Sequence, residues 1–168
     1  MACFISNRNS CFGPYYPCPI SCCSCRCCCA NIVQNPSIST INLAFFALTT
    51  PTTVASGAVV PMPLVSSVGT SITSTTPGTA NLTPGTYEVT YSVTSVIGAS
   101  GTNSFGLELG GTILPASVTT VTGVVGDTET VSGSAVLTVT ATSTLSLNNL
   151  GADAVDVNVA NMTIRKIS

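Results

Sequence analysis

The sequence predicts an all-β protein: a two-sheet antiparallel jelly-roll sandwich of about nine or ten strands, preceded by an extended cysteine-rich arm. Three observations predict it. Apolar and polar residues alternate with period two along several segments, as half-buried strands require. Turn-forming residues punctuate these segments at short spacing: Pro77-Gly78, Pro84-Gly85, Gly98–Gly101, Gly110-Gly111, Gly126-Asp127 and Gly151. All nine cysteines lie between Cys3 and Cys29, so the chain beyond them holds no disulfide of its own.

The arm comes first, at residues 1–30. Gly13, Pro14, Pro17 and Pro19 oppose helix and favour turns or extended chain. Cys3, Cys11 and Cys18 precede a dense tract of Cys22, Cys23, Cys25, Cys27, Cys28 and Cys29. Neighbouring side chains of an extended chain point to opposite sides, so adjacent cysteines face different partners. That suits branching cross-links. The remainder of the chain offers no thiol, so every disulfide joins arm to arm, within one chain or between chains. An odd count leaves at least one sulfur out of any purely internal pairing. A compact self-bonded knot is the competing reading. Metal is the other one. Cys22, Cys25 and Cys28 form a Cys-x-x-Cys-x-x-Cys ladder, a spacing that zinc or an iron–sulfur cluster accepts. The run Cys27-Cys28-Cys29 is unlike a defined tetrahedral site, so no metal and no cofactor is expected.

A hinge follows at residues 31–40, with Pro36 inside it. The body, residues 41–168, is long enough to bury a core without cross-links. Its expected strands are Ile41–Leu48, Ala58–Leu64, Thr70–Ser74, Thr86–Ile97, Ser104–Leu109, Ala116–Thr122, Val131–Thr140, Thr144–Leu150 and Val155–Ile167. Tyr87, Val89, Tyr91 and Val93 fall on one face, and Glu88, Thr90, Ser92 and Thr94 on the other. Leu145 and Leu147 are expected opposite Ser146 and Asn148. Val155, Val157 and Val159 are expected opposite Asp156 and Asn158. Thr and Val abound, and β-branched residues favour strands. No segment carries a capped helical stripe.

Charged residues are 6% of the chain, against about 25% in ordinary soluble domains. No charged side chain lies between Cys27 and Tyr87. With 45% hydrophobic residues and a net charge of −2, disorder is a poor account of this neutrality. A surface this neutral is expected to pack against other subunits. Four Lys/Arg residues cannot form a nucleic-acid stripe. No apolar run approaches the roughly 18–20 residues of a membrane span. Met1–Arg8 lacks the basic start and apolar stretch of a secretory signal. Dense cysteines without such a signal conflict, because disulfides belong to oxidising compartments. A signal removed earlier resolves the conflict, as do reduced cysteines that hold metal. So does synthesis in a cytoplasm that later lyses, with oxidation in place. The expected location is extracellular, on a spore or cell surface.

Histidine is absent, which excludes a Ser-His-Asp triad and a Cys-His dyad. The carboxylates are Glu88, Glu108, Asp127, Glu129, Asp153 and Asp156. Asp127 with Glu129, and Asp153 with Asp156, are the nearest pairs. Their expected role is to solvate loops of an otherwise apolar surface. Too few oxygen ligands cluster in sequence for calcium. No catalytic residue is expected. Asn81-Leu82-Thr83 and Asn161-Met162-Thr163 match the N-glycosylation pattern, which arises by chance in a Ser/Thr-rich β chain.

Several segments together carry a resemblance. They are Leu43–Leu48, Leu82-Thr83-Pro84-Gly85-Thr86-Tyr87 with the strand through Val93, Phe105–Pro115 and Val159–Ile167. Their order and spacing resemble the trimeric jelly-roll domain of complement globular heads and tumour necrosis factor. Within that group they look like the C-terminal domain of collagen-like glycoproteins of the bacterial exosporium. The resemblance covers roughly residues 41–168. It implies a homotrimer with strand faces packed around a threefold axis and chain ends together at one base. The cysteine arm stands where the exosporium group carries a collagen stalk. It loosely resembles the cysteine-bearing connectors of endospore appendage subunits. In those, connector cysteines pair with cysteines of a neighbouring jelly roll, and this body has none to offer.

The expected function is a structural subunit of a spore or cell-surface appendage or layer, non-enzymatic, whose partner is itself. Other spore-surface proteins are possible further partners. Two other readings stand beside it. One is a surface binding module that recognises a receptor or glycan through loops Gly98–Asn103 and Gly123–Thr130. The other is a cysteine-rich metal-binding protein.

Overall fold

The computed structural model describes residues 41–168. The arm, the hinge and all nine cysteines lie outside the described residues. The strands are β1 (Leu43–Leu48), β2 (Thr52–Val54), β3 (Leu64–Val68), β4 (Ile72–Thr76), β5 (Thr79–Leu82) and β6 (Gly85–Val96). They continue as β7 (Thr102–Leu109), β8 (Thr112–Ile113), β9 (Thr119–Thr122), β10 (Thr128–Val139), β11 (Ser143–Asn149) and β12 (Val155–Lys166). A single 3-10 turn, Pro115–Ser117, breaks the pattern, and the described residues contain no α-helix.

Two antiparallel sheets form the jelly-roll sandwich. The first runs β10-β6-β12-β1-β3, with β2 also paired to β12. The second runs β4-β5-β11-β7-β8, with β9 also paired to β7. Crossings between sheets place sequence-distant strands side by side, so β1 lies against the last strand, Leu43 opposite Arg165 and Leu48 opposite Ala160.

Alternation builds the core as expected in the central strands. Tyr87, Val89, Tyr91 and Val93 of β6 are buried, as are Phe105 and Leu107 of β7 and Leu145 and Leu147 of β11. Each such side chain contributes about 1.5–3 kcal/mol on burial. Tyr91 spans the sandwich. Its hydroxyl donates to the Ser117 carbonyl at 2.5 Å and lies 2.7 Å from the Thr119 hydroxyl, which fastens the 3-10 turn beneath β9. Burial pushes the Tyr91 phenol above its ordinary pKa, while the Thr119 hydrogen bonds pull it down.

Four expectations need correction. The segment expected as one strand, Ala58–Leu64, is divided between the sheets. Val60 N–H donates to Leu147 and Asn149 N–H to Ala58, at 2.8 and 2.9 Å, so its first part extends the second sheet. Its last residue, Leu64, begins β3 in the first sheet. Pro61 and Pro63 lie between, and proline lacks the N–H that would continue a ladder. Second, Val159 does not share a face with Val155 and Val157. A register shift between Val157 and Val159 inserts a bulge, which reverses the parity beyond it. Val155 and Val157 are buried, Val159 is 48% exposed, and Ala160, Met162 and Ile164 take over the core side.

Third, Ser146 and Asn148 are buried although they oppose Leu145 and Leu147. Ser146 donates to Asn148 Oδ1 at 2.8 Å, and Asn148 Nδ2 donates to Glu108 Oε2 at 2.9 Å, so the covered polar groups are satisfied. Fourth, Ala116–Thr122 opens on the 3-10 turn, and only Thr119–Thr122 is strand. The short strands β2, β5 and β8 lie outside every expected strand.

Candidate association surface

The outward face of the first sheet is built by strand register. One row across it reads Val68, Leu43, Arg165, Glu88, Val136. The next reads Ser66, Phe45, Thr163, Thr90, Ser134. A third reads Ala47, Asn161, Ser92, Ser132. The side chains of these rows are neutral except for one ion pair, Arg165 Nε to Glu88 Oε2 at 3.5 Å, and the exposed Asp156 of β12 adds one carboxylate nearer the loop end of the face. Both partners are about half exposed, so the pair contributes about 0–1 kcal/mol. Hydroxyls bond to hydroxyls across the strands: Thr94 with Thr130 at 2.8 Å, and Ser132 to Ser92 at 3.0 Å. Exposed aliphatic side chains are interspersed, including Val136 at 68% and Val68 at 55%. Such a face has little charge to desolvate when a neighbour covers it.

Two buried asparagines organise one end of the sandwich. Asn103 Nδ2 donates to Ser95 Oγ and to the Val96 carbonyl, both at 2.8 Å, and its Oδ1 accepts from Gly98 N–H at 3.1 Å. That closes the β6–β7 turn. Asn149 Nδ2 donates to the carbonyls of Val54, Ala55 and Asp153, and its Oδ1 accepts from Gly151 N–H. That ties the chain after β2 to the β11–β12 loop.

The expected binding loops, Gly98–Asn103 and Gly123–Thr130, meet at this end. Gly123 N–H donates to the Gly101 carbonyl at 3.1 Å, and Ile97 N–H to the Asp127 carbonyl at 2.8 Å. Four of the six carboxylates, Asp127, Glu129, Asp153 and Asp156, sit at or beside these loops. Asp153 Oδ2 accepts from Ser100 N–H at 2.5 Å, and this bond holds its carboxyl below the usual carboxylate pKa. Asp156 Oδ1 accepts from the Thr53 hydroxyl. Among the described residues, no three acidic or cysteine side chains converge closely enough to hold a metal ion.

The opposite end carries both described cations. Lys166 Nζ donates to the Pro84 carbonyl at 2.7 Å and lies 5.7 Å from the centre of the Tyr87 ring. The chain enters the sandwich here, where Lys166 N–H donates to the Asn42 carbonyl at 2.9 Å. Two adjoining shallow hollows of about 360 and 300 Å³ open at this end. Neutral residues line them, chiefly Thr138–Thr144, Asn81 and Gly110, and they offer no acid, base or nucleophile pair. Of the two glycosylation-pattern asparagines, Asn81 lies in β5 and Asn161 on the outward face of the first sheet.

The sequence reading missed Asn103, Asn149 and the outward valines Val136 and Val159. A parity signal existed for Val136, which keeps step with Ser132 and Ser134. Asn103 bonds only within eight residues of itself, around the Gly98–Gly101 turn, whereas Asn149 also reaches Val54 and Ala55, 95 and 94 residues away, which no local pattern shows.

No family model matches the sequence, and no curated protein matches it. Solved structures match the fold. The chain is similar to the tumour necrosis factor Eiger of S. frugiperda, with TM-score 0.64 and 14% identity over 77% of this chain and 94% of that one. It is similar to the globular domain of zebrafish complement 1qA, with TM-score 0.63 and 14% identity over 76% and 98%. It is also similar to the PRD1 vertex protein P5, with TM-score 0.53 and 19% identity over 77% and 99%. The described residues thus have the jelly-roll fold of tumour necrosis factor and complement globular domains.

Proposed function

We propose that this chain is a non-enzymatic structural subunit of a spore or cell-surface appendage or layer. Its jelly roll self-associates as a trimer through the outward face of the first sheet. Its arms are then joined by disulfides among Cys3, Cys11, Cys18, Cys22, Cys23, Cys25, Cys27, Cys28 and Cys29. The observation that carries the reading is the nearly uncharged face of the first sheet, where one ion pair, and Asp156 toward the loop end, interrupt hydroxyls, amides and aliphatic side chains. Covering such a face gains roughly 25 cal/mol per Å² of apolar area, before the entropic cost of association. The resemblance to trimeric exosporium domains supports the stoichiometry and the location. The segregation of every thiol into the arm supports covalent locking, which makes dissociation slow rather than merely unfavourable.

The test is electrophoresis of boiled protein with and without reductant, beside sedimentation of the reduced chain. The expected result is a trimer or larger species that survives boiling until reductant is added, and a reduced chain that still associates before boiling. Complete monomerisation by heat and detergent without reductant removes the disulfide lock. A reduced chain that sediments as a monomer at high concentration removes the face.

A further inference from the structure

The ion pair on the outward face of the first sheet is under-bonded. Register sets Arg165 of β12 beside Glu88 of β6, with Leu43 and Val68 on one side and Val136 on the other. The contact runs from Arg165 Nε to Glu88 Oε2 at 3.5 Å. A charge-assisted bond closes to about 2.7–2.9 Å, and the arginine fork holds a carboxylate best through two parallel bonds. Among the described residues, nothing else bonds to the Arg165 Nη groups or to Glu88 Oε1. Water serves both groups in a lone chain, since the side chains are 60% and 47% exposed.

Covering the face removes that water. A covered ion pair offsets its desolvation only when its remaining donors and acceptors find partners. An apolar neighbour supplies none. The same face of a second copy supplies both, because at this row it carries one cation and one anion and is complementary to itself. No other described charge competes for the role. Asp156 lies about 30 Å off along β12, and Lys166 is engaged by the Pro84 carbonyl.

We infer that Arg165 of each copy holds Glu88 of a neighbouring copy through its Nη groups while keeping its own Glu88 at Nε. This rests on the self-association proposed above and names the charged contact that recognises the second copy and fixes its register. The valines of the row contribute apolar area, but aliphatic and hydroxyl side chains recur from row to row and discriminate little between registers. Charge discriminates, because a neighbour slipped by one row sets Arg165 and Glu88 against the hydroxyls of Thr163 and Thr90 and leaves both unpaired.

The test separates pairing between copies from pairing within one. The double reversal Glu88→Arg/Arg165→Glu keeps opposite charges adjacent within each chain and between like chains. Between a wild-type chain and a reversed one, it sets Arg against Arg and Glu against Glu. Full-length wild type with an N-terminal affinity tag is coexpressed with untagged wild type or with the untagged reversal, and the tag is captured at low salt under reductant. Sedimentation of each chain alone reports its oligomer, and thermal melting at high dilution reports its fold. Both chains are expected to fold and to associate with themselves. The tagged chain is expected to retain at least about tenfold less of the reversal than of untagged wild type, and salt of about 0.5 M is expected to narrow that gap. Retention of the two partners in equal amounts overturns the inference and leaves self-association standing. Should the reversal stay monomeric, Glu88→Arg and Arg165→Glu chains decide the matter. Each alone is expected to need at least about tenfold more protein than wild type to associate, and an equimolar mixture less than either. A mixture no better than its components overturns the inference. Wild type that sediments as a monomer at every concentration removes the self-association on which it rests.

Discussion

Two side chains decide the geometry of the loop end. Asn149, itself fully buried, donates its amide to three carbonyls and accepts one N–H. Truncation removes these bonds, the one to the Val54 carbonyl among them fully buried, and a buried group left unsatisfied costs about 1–3 kcal/mol. Asn149→Ala is therefore expected to lose about 2–4 kcal/mol in urea unfolding, more than an ordinary surface change. Asp153 acts more locally. The Ser100 N–H bond lowers its folded pKa, so its contribution is present above the unfolded value and is lost as pH falls through the folded one. The Ser100 amide resonance is expected to titrate below the ordinary aspartate range, and Asp153→Asn to abolish that titration. A midpoint at the ordinary value contradicts the bond.

At the scale of elements, alternation made the central strands legible, and exceptions came from register. The face of β6 was readable because Tyr87, Val89, Tyr91 and Val93 repeat without interruption. The face of β12 was not, because the bulge at Val157/Val159 depends on β6 and leaves no mark in the local pattern. Gly133 shows the same dependence within β10. It lies opposite Tyr91, and a Cβ there would stand 2.5 Å from the phenol ring. The ring cannot yield, since its hydroxyl is held by Ser117 and Thr119. Gly133→Ala is expected to destabilise the fold by about 1–3 kcal/mol by overpacking, measured by chemical denaturation.

For the whole molecule, function depends on which faces remain uncovered. Thr90 lies in the middle of the outward face of the first sheet, between Thr163 and Ser134. A cation there must be desolvated on association but stays solvated in a lone chain. Thr90→Lys is expected to keep its thermal midpoint in the reduced, dilute state, and to sediment as a smaller species than the wild type. Unchanged sedimentation places the association surface elsewhere.

By itself the sequence determined that this is a thiol-free β sandwich following a thiol-rich arm, nearly uncharged, with its turns at named glycines and prolines. Those properties follow from residue type and short spacing, which act within a few residues. Only the tertiary structure decided that residues 58–64 serve two sheets, that Val159 faces outward, and that four carboxylates share the end away from the chain's entry. Each of these depends on pairing between strands distant in sequence, where register and burial are set by partners rather than by neighbours.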